Sequence, residues 1–344
     1  MLRLAKRTLK NHFALFILGA ATLAGAAAAG GYHLVKEIPV SGDGSWDYLT
    51  IDPDASRLYV SHQTQVEVLD LDSEQPVGKV TDLNGVHGIA IASKLGRGFI
   101  TNGQSSTVTI FDPKTLKHLG EVPAGKSPDG VLYDSASDRV FAFNHHGDNV
   151  TVFGASDGKI AGTIELGGEP EFPVNDEKGS VWVNLENIST LVRLDAQGLK
   201  VTGRWPVAPC EAPASMAIDR ERRRLFIGCG NQFMAVADPD TGKIITTLPI
   251  GPHVDATAFD SATGLIFNAN NGSVTIIHQD SADHYSIVET VTTKYKANTL
   301  AVDRKTHKVY LPSATVEGPK PTPENPRPVI TRVPGTFKIL VLAR

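Results

Sequence analysis

A pair of residues recurs along this chain at almost constant intervals. Ile51-Asp52, Ile91-Ala92, Tyr133-Asp134, Asn175-Asp176, Ile218-Asp219, Phe259-Asp260 and Val302-Asp303 have second members spaced by 40, 42, 42, 43, 41 and 43 positions. After each pair come a polar turn and an apolar run, such as Leu58-Tyr59-Val60 or Val181-Trp182-Val183. A second alternating run follows, such as Val108-Thr109-Ile110, then a turn such as Asp238-Pro239-Asp240-Thr241-Gly242 and a closing run such as Ile244-Ile245-Thr246-Thr247-Leu248. Period-two runs of β-branched and aromatic residues between Gly, Asn, Asp and Pro clusters signal strands. Four strands in about forty residues make one blade of a β-propeller. The expected fold is therefore all-β, a seven-bladed β-propeller with four-stranded blades.

The seventh unit reaches only its third run, Ile339-Leu340-Val341, before Arg344. Tyr32 to Val40 resembles the closing runs of the other units. This N-terminal strand is expected to complete blade seven and to remove an open sheet edge that could pair with another molecule.

Residues 1–29 read differently from the repeats. Arg3, Lys6, Arg7 and Lys10 precede an apolar stretch from Phe13 to Leu23, followed by small residues beginning Ala24-Gly25-Ala26. This is the pattern of a secretory signal peptide. Its apolar core is shorter than the roughly 20 residues a membrane span needs. The expectation is a single domain over residues 30–344, periplasmic or secreted, monomeric, with no membrane span after cleavage. Without the leader's four basic residues, 29 Lys and Arg face 37 Asp and Glu, a net charge of −8. That field disfavours polyanions, so nucleic acid is an unfavoured partner, and the run Arg220-Glu221-Arg222-Arg223-Arg224 is read as a solvated turn. The two cysteines, Cys210 and Cys229, fall in loops at the same end of blade five, and an oxidising compartment favours a disulfide between them.

Stacking the seven units exposes a candidate site. Five residues before each recurring position stand Asp47, His87, Asp129, Glu171, Ala214, Asp255 and Asn298. This register opens the innermost strand beside the axis. Close carboxylates raise one another's pKa unless a cation or a donor compensates. Loops at the same end add His62, Asn102, Asn144, His145, His146, Glu186 and Asn270, with Trp46, Tyr48, Phe172, His253 and Tyr295 on entry segments. The candidate ligand-binding set is Asp47, His87, Asp129, Glu171, Asp255, Asn298, His62, Trp46, Tyr48 and His253. Three uses of this ring stay open: a hydrogen-bonded channel, a mouth that binds a small molecule, peptide or protein, and a divalent cation such as Ca²⁺ held by Asp47, Asp129, Glu171 and Asp255, with or without His87. His145 and His146 are expected as exposed loop histidines. Blade seven also carries a proline-rich insertion over 314–335 at the same end, long enough to be functional or disordered.

The unit Asp52-Pro53-Asp54-Ala55-Ser56-Arg57-Leu58-Tyr59-Val60, the Thr-Gly-Lys turns and Ser127-Pro128-Asp129-Gly130-Val131 resemble the YVTN-repeat, YncE-like bacterial propellers. The resemblance covers nearly all of residues 30–344. It implies an extracytoplasmic binding or surface-associated protein, some relatives having links to nucleic acid. Related propellers include sugar-lactone hydrolases, so a metal-assisted lactonase with His87 or Glu171 as base is the enzymatic alternative. No Gly-x-Ser-x-Gly elbow, His-Glu-x-x-His helix or phosphate loop is present. The reading favoured is a binder with no catalytic residue.

Overall fold

The computed structural model describes residues 30–40, 42–319, 322 and 329–344. The signal-peptide reading falls on residues outside these. Seven four-stranded antiparallel sheets follow the repeat. Blade one runs from Trp46–Asp52 through Gln75–Val80, blade two from Val86–Ala92 through His118–Pro123, and blade three from Pro128–Asp134 through Ile160–Glu165. Blades four, five and six begin at Pro170–Asn175, Pro213–Asp219 and Ala256–Asp260. Each innermost strand neighbours the next, and that of blade seven, Ala301–Val302, returns to blade one. The ring is a seven-bladed β-propeller.

Closure follows the expected route. His33–Pro39 pairs antiparallel with Lys338–Ala343, placing Ile38 opposite Ile339 and Pro39 opposite Lys338. The first described strand is thus the outer strand of the last blade.

The recurring Asp has a local cause. Asp52, Asp219 and Asp303 each turn a carboxylate oxygen onto backbone N–H groups two or three residues ahead, at 3.0–3.4 Å for the bonds onto Asp52 and Asp219 and 3.0 Å from Lys305 N to Asp303. These Asx-type bonds satisfy donors that a tight turn leaves free. In the second strand, long polar side chains reach forward into the following blade. Tyr59 Oη and Arg57 donate to Pro113 O, and Trp182 Nε1 donates to Pro239 O at 2.8 Å. One repeat thereby fastens the next.

The core is distributed between blades. Seven apolar clusters fill the seven interfaces, with Phe99 and Val140 between blades two and three and Phe226 and Ile266 between blades five and six. Fully burying such side chains contributes about 1.5–3 kcal/mol each. Cys210 and Cys229 form the expected disulfide inside the cluster between blades four and five.

The arginine run is largely neutralised on the opposite end of the ring. Arg223 pairs with Asp240 and Arg224 with Asp283, each with a contact of 2.6 Å, while Arg220 is held by the Asn175 backbone and side chain. The blade-seven insertion is not structureless at its base: Val316–Glu317 pairs with Thr331–Arg332. Among the described residues no helix is long and apolar enough to cross a membrane.

Candidate functional site

The ring register owes its orientation to an irregularity in the innermost strands. In blades one to four the pairing of first and second strands slips between Trp46 and Leu49, Val86 and Ile89, Pro128 and Val131, and Pro170 and Pro173. Asp47, His87, Asp129 and Glu171 sit within those slips, where a bulge re-aims a side chain. Glycine lets adjacent strands come this close: a Cβ on Gly88 would lie 2.6 Å from Asp129 O, and one on Gly130 would lie 2.9 Å from Glu171 O. Thr101 Oγ1 donates to Asp129 O at 2.6 Å, and Thr299 Oγ1 donates to Asp47 O at 2.7 Å.

The ring residues then form two groups. Over blades one to four, His87 Nδ1 lies 2.6 Å from Asp47 Oδ2 and 3.7 Å from Asp129 Oδ1. His145 Nδ1 lies 3.1 Å from Glu171 Oε1. Burial disfavours the His87 imidazolium, but the Asp47 hydrogen bond and the Asp129 charge outweigh it and raise its pKa to about 9. For His145 the Glu171 hydrogen bond dominates over burial and also raises the pKa to about 9. Burial pushes Asp129 and Glu171 upward, and neighbouring carboxylates add to that push. Over blades six and seven, Asn298 Nδ2 donates to Asp255 Oδ2 at 2.9 Å. Burial, then the charges of Asp47, Glu171 and Asp129, hold the Asp255 carboxyl well above the ordinary range.

Blade five breaks the ring, and the break makes room. Ala214 offers only a methyl, and beside it a cavity of 560 Å³ opens among blades four to seven. Glu171, Glu186, Glu211 and Asp255 bring four carboxylates to its wall, against Lys296 and His253. Tyr48 meets Phe172 edge-on at 5.2 Å and is buried. Burial and the surrounding carboxylates raise its hydroxyl pKa well beyond the usual value, so it stays protonated.

Several expected site residues have other places. His62 is buried, stacked on Phe337 at 4.0 Å just past the blade-seven insertion, with Glu67 Oε1 3.6 Å away. Trp46 donates from Nε1 to Lys296 O and packs between Phe337 and Arg332, so it anchors the insertion. Tyr48 is buried below the rim. Asn102, Asn144 and Asn270 are buried and hydrogen-bonded to threonines of their own blades. Among the described residues Asp255 belongs to neither of the donor groups around Asp129, although the charges of Asp47, Glu171 and Asp129 reach it. His145 is not an exposed loop histidine. A 3-10 turn over His145–Gly147 leaves its side chain 16% exposed, against 54% for His146. His253 does line the cavity. Glu211 and Lys296 were not singled out by the stacked register.

No family model and no curated protein matches the chain. A solved structure of Kuenenia stuttgartiensis hydrazine synthase is similar in fold, with a TM-score of 0.70 at 13% identity. The match covers 86% of this chain and 97% of that one. At that identity the likeness shows the propeller fold alone.

Proposed function

We propose that the chain is an extracytoplasmic binding propeller of the YVTN-repeat type, whose mouth captures a small polar ligand that presents cationic hydrogen-bond donors. The observation that carries this is the cavity at Ala214, walled by Glu171, Glu186, Glu211 and Asp255. Its volume of 560 Å³ suits a small molecule or the end of a peptide. Burial and like charge raise the pKa of Glu171 and Asp255, and the Asn298 amide that donates to Asp255 is neutral, so a ligand ammonium or guanidinium supplies the charge it lacks. Tyr295 adds an aromatic wall against which a cation can rest. The disulfide and the leader-like N-terminal sequence support export from the cytoplasm.

The test is a thermal-shift screen on chelator-treated protein, using alkyl diamines and basic dipeptides alongside dicarboxylates and phosphate esters. Saturable stabilisation by the cations alone supports the reading. Stabilisation only by the anions contradicts it.

A further inference from the structure

On the arc of the mouth away from the cavity, the donors change in kind. Asp47, His87 and Asp129 each offer one atom within 4.8 Å of the others, and so do Asp129, His145 and Glu171. The two sets share Asp129, giving a run of carboxylate, imidazole, carboxylate, imidazole, carboxylate over blades one to four. We propose that these five side chains form a site for a divalent first-row transition-metal ion, with Asp129 as the common ligand.

Four observations point to this use. First, both imidazoles turn Nδ1 toward the carboxylates, at 2.6 Å from Asp47 Oδ2 and 3.1 Å from Glu171 Oε1. Donors bound to one ion at about 2.0–2.2 Å stand only slightly farther apart than this, so small side-chain rotations suffice. Second, Asp129 Oδ1 is buried and accepts no hydrogen bond. His87 Nδ1 stands 3.7 Å from it, beyond hydrogen-bond range. A buried oxygen without a donor is costly, and an ion bound there would satisfy it. Third, a carboxylate stands on the far side of His145, where a ligating histidine takes its outer partner: Glu169 Oε2 lies 3.9 Å from its Nε2, within an ion pair's reach though not hydrogen-bonded. On His87, Nε2 faces the Gly103 backbone so closely that a Cβ there would lie 2.9 Å away. Nδ1 thereby faces Asp47 at 2.6 Å. Fourth, the donor set mixes nitrogen and oxygen. Imidazole with carboxylate suits zinc, cobalt, copper or iron, whereas Ca²⁺ prefers six to eight oxygens.

The charges agree with occupancy. With neutral imidazoles the five side chains carry three negative charges, and one divalent ion leaves a residue of −1. Glu186, Glu211 and Asp255 remain for the cavity. This metal site therefore does not depend on the cationic-ligand reading: Glu171 is the one residue that touches both.

The experiment is a calorimetric titration of Zn²⁺ into chelator-stripped protein, with native mass spectrometry for stoichiometry and Co²⁺ absorption as a spectroscopic check. The expected result is saturable uptake of at least one ion per chain, with Co²⁺ bands of mixed nitrogen and oxygen ligation. Asp129→Asn should weaken it by more than about 100-fold, since loss of an outer partner alone costs 10–100-fold. His87→Gln and His145→Gln should each weaken it, and circular dichroism confirms that each variant folds. His146→Ala should retain it. The proposal is overturned by no saturable uptake in the unaltered protein, by uptake indifferent to Asp129→Asn, or by uptake lost in His146→Ala, which would place the ion on the exposed rim. Failure here leaves the cation screen untouched, because that screen is run without metal.

Discussion

The Asn298 side-chain amide donates to Asp255 Oδ2 across 2.9 Å, joining blades six and seven at the mouth. An amide satisfies one oxygen but supplies no charge. Burial and the charges of Asp47, Glu171, Asp129 and Glu186 therefore dominate, and the folded-state pKa of Asp255 rises. A raised pKa contributes stability that is fully present below the unfolded value, about 4, and is lost as pH rises through the folded value. Asp255→Asn removes the titrating group while keeping its shape. In metal-free protein, thermal unfolding of this variant should fall less steeply with rising pH than that of the parent. Its advantage should be greatest in mildly alkaline buffer and absent near pH 3. Parallel curves would show that Asp255 titrates in the folded protein as it does in water.

Ala214 is the gap through which the cavity opens. Ala214→Leu adds bulk there without touching a carboxylate. Stability should change by about 1–3 kcal/mol at most, the usual cost of added methylenes. Stabilisation by the cationic panel should disappear. Retained stabilisation would place the ligand elsewhere.

The Cys210–Cys229 disulfide pins the segment that bears Glu211 and Ala212. Gly230 N donates to Glu211 O at 2.8 Å just past the bridge, fixing that segment against the end of the second strand. Cys210→Ala with Cys229→Ala should lower unfolding free energy by about 2–4 kcal/mol. Because the loop forms one wall of the cavity, cation affinity should fall as well. Denaturant unfolding measures the first effect and calorimetry the second; unchanged values would show that packing alone holds the loop.

Closure of the ring can be tested within one strand. Ile38 is 2% exposed in the cluster between blades seven and one, while Leu34 on the same strand is 41% exposed. Ile38→Ala should cost about 2–5 kcal/mol. Leu34→Ala should stay within about 0.5 kcal/mol. Equal effects in denaturant unfolding would contradict the pairing of His33–Pro39 with Lys338–Ala343.

The repeat made the blades legible because six of the seven carry an Asp at the same turn, blade two having Ala92 and a 3-10 turn over Ser93–Leu95 instead. An Asp that caps the first turn and a polar side chain that reaches the next blade recur wherever those bonds are needed. The inward ring was legible for the same reason, though the bulges that aim it leave no mark in composition. Roles that depend on depth were not legible. Asn102, Asn144 and Asn270 occupy loop ends that look like ligand positions, yet each is buried with its side-chain nitrogen donating to a threonine of its own blade. His62 is hidden by Phe337, a residue 275 positions away that arrives just past the blade-seven insertion. Glu211 lies at a second register, eight residues before Asp219, whose members across the blades (Gly44, Asn84, Lys126, Gly168, Pro252 and Tyr295 in the others) share no chemistry. His145 and His146 are adjacent in sequence, and only the short turn separates their fates.

The cavity as the binding site is tested most directly by calorimetry of the alkyl diamines against chelator-treated parent protein and a Glu211→Gln, Asp255→Asn double variant. Saturable binding by the parent that weakens at least about tenfold, or about 1.4 kcal/mol, in the variant is the expected result. Equal affinity for both proteins, or no saturable heat with the parent, would contradict it.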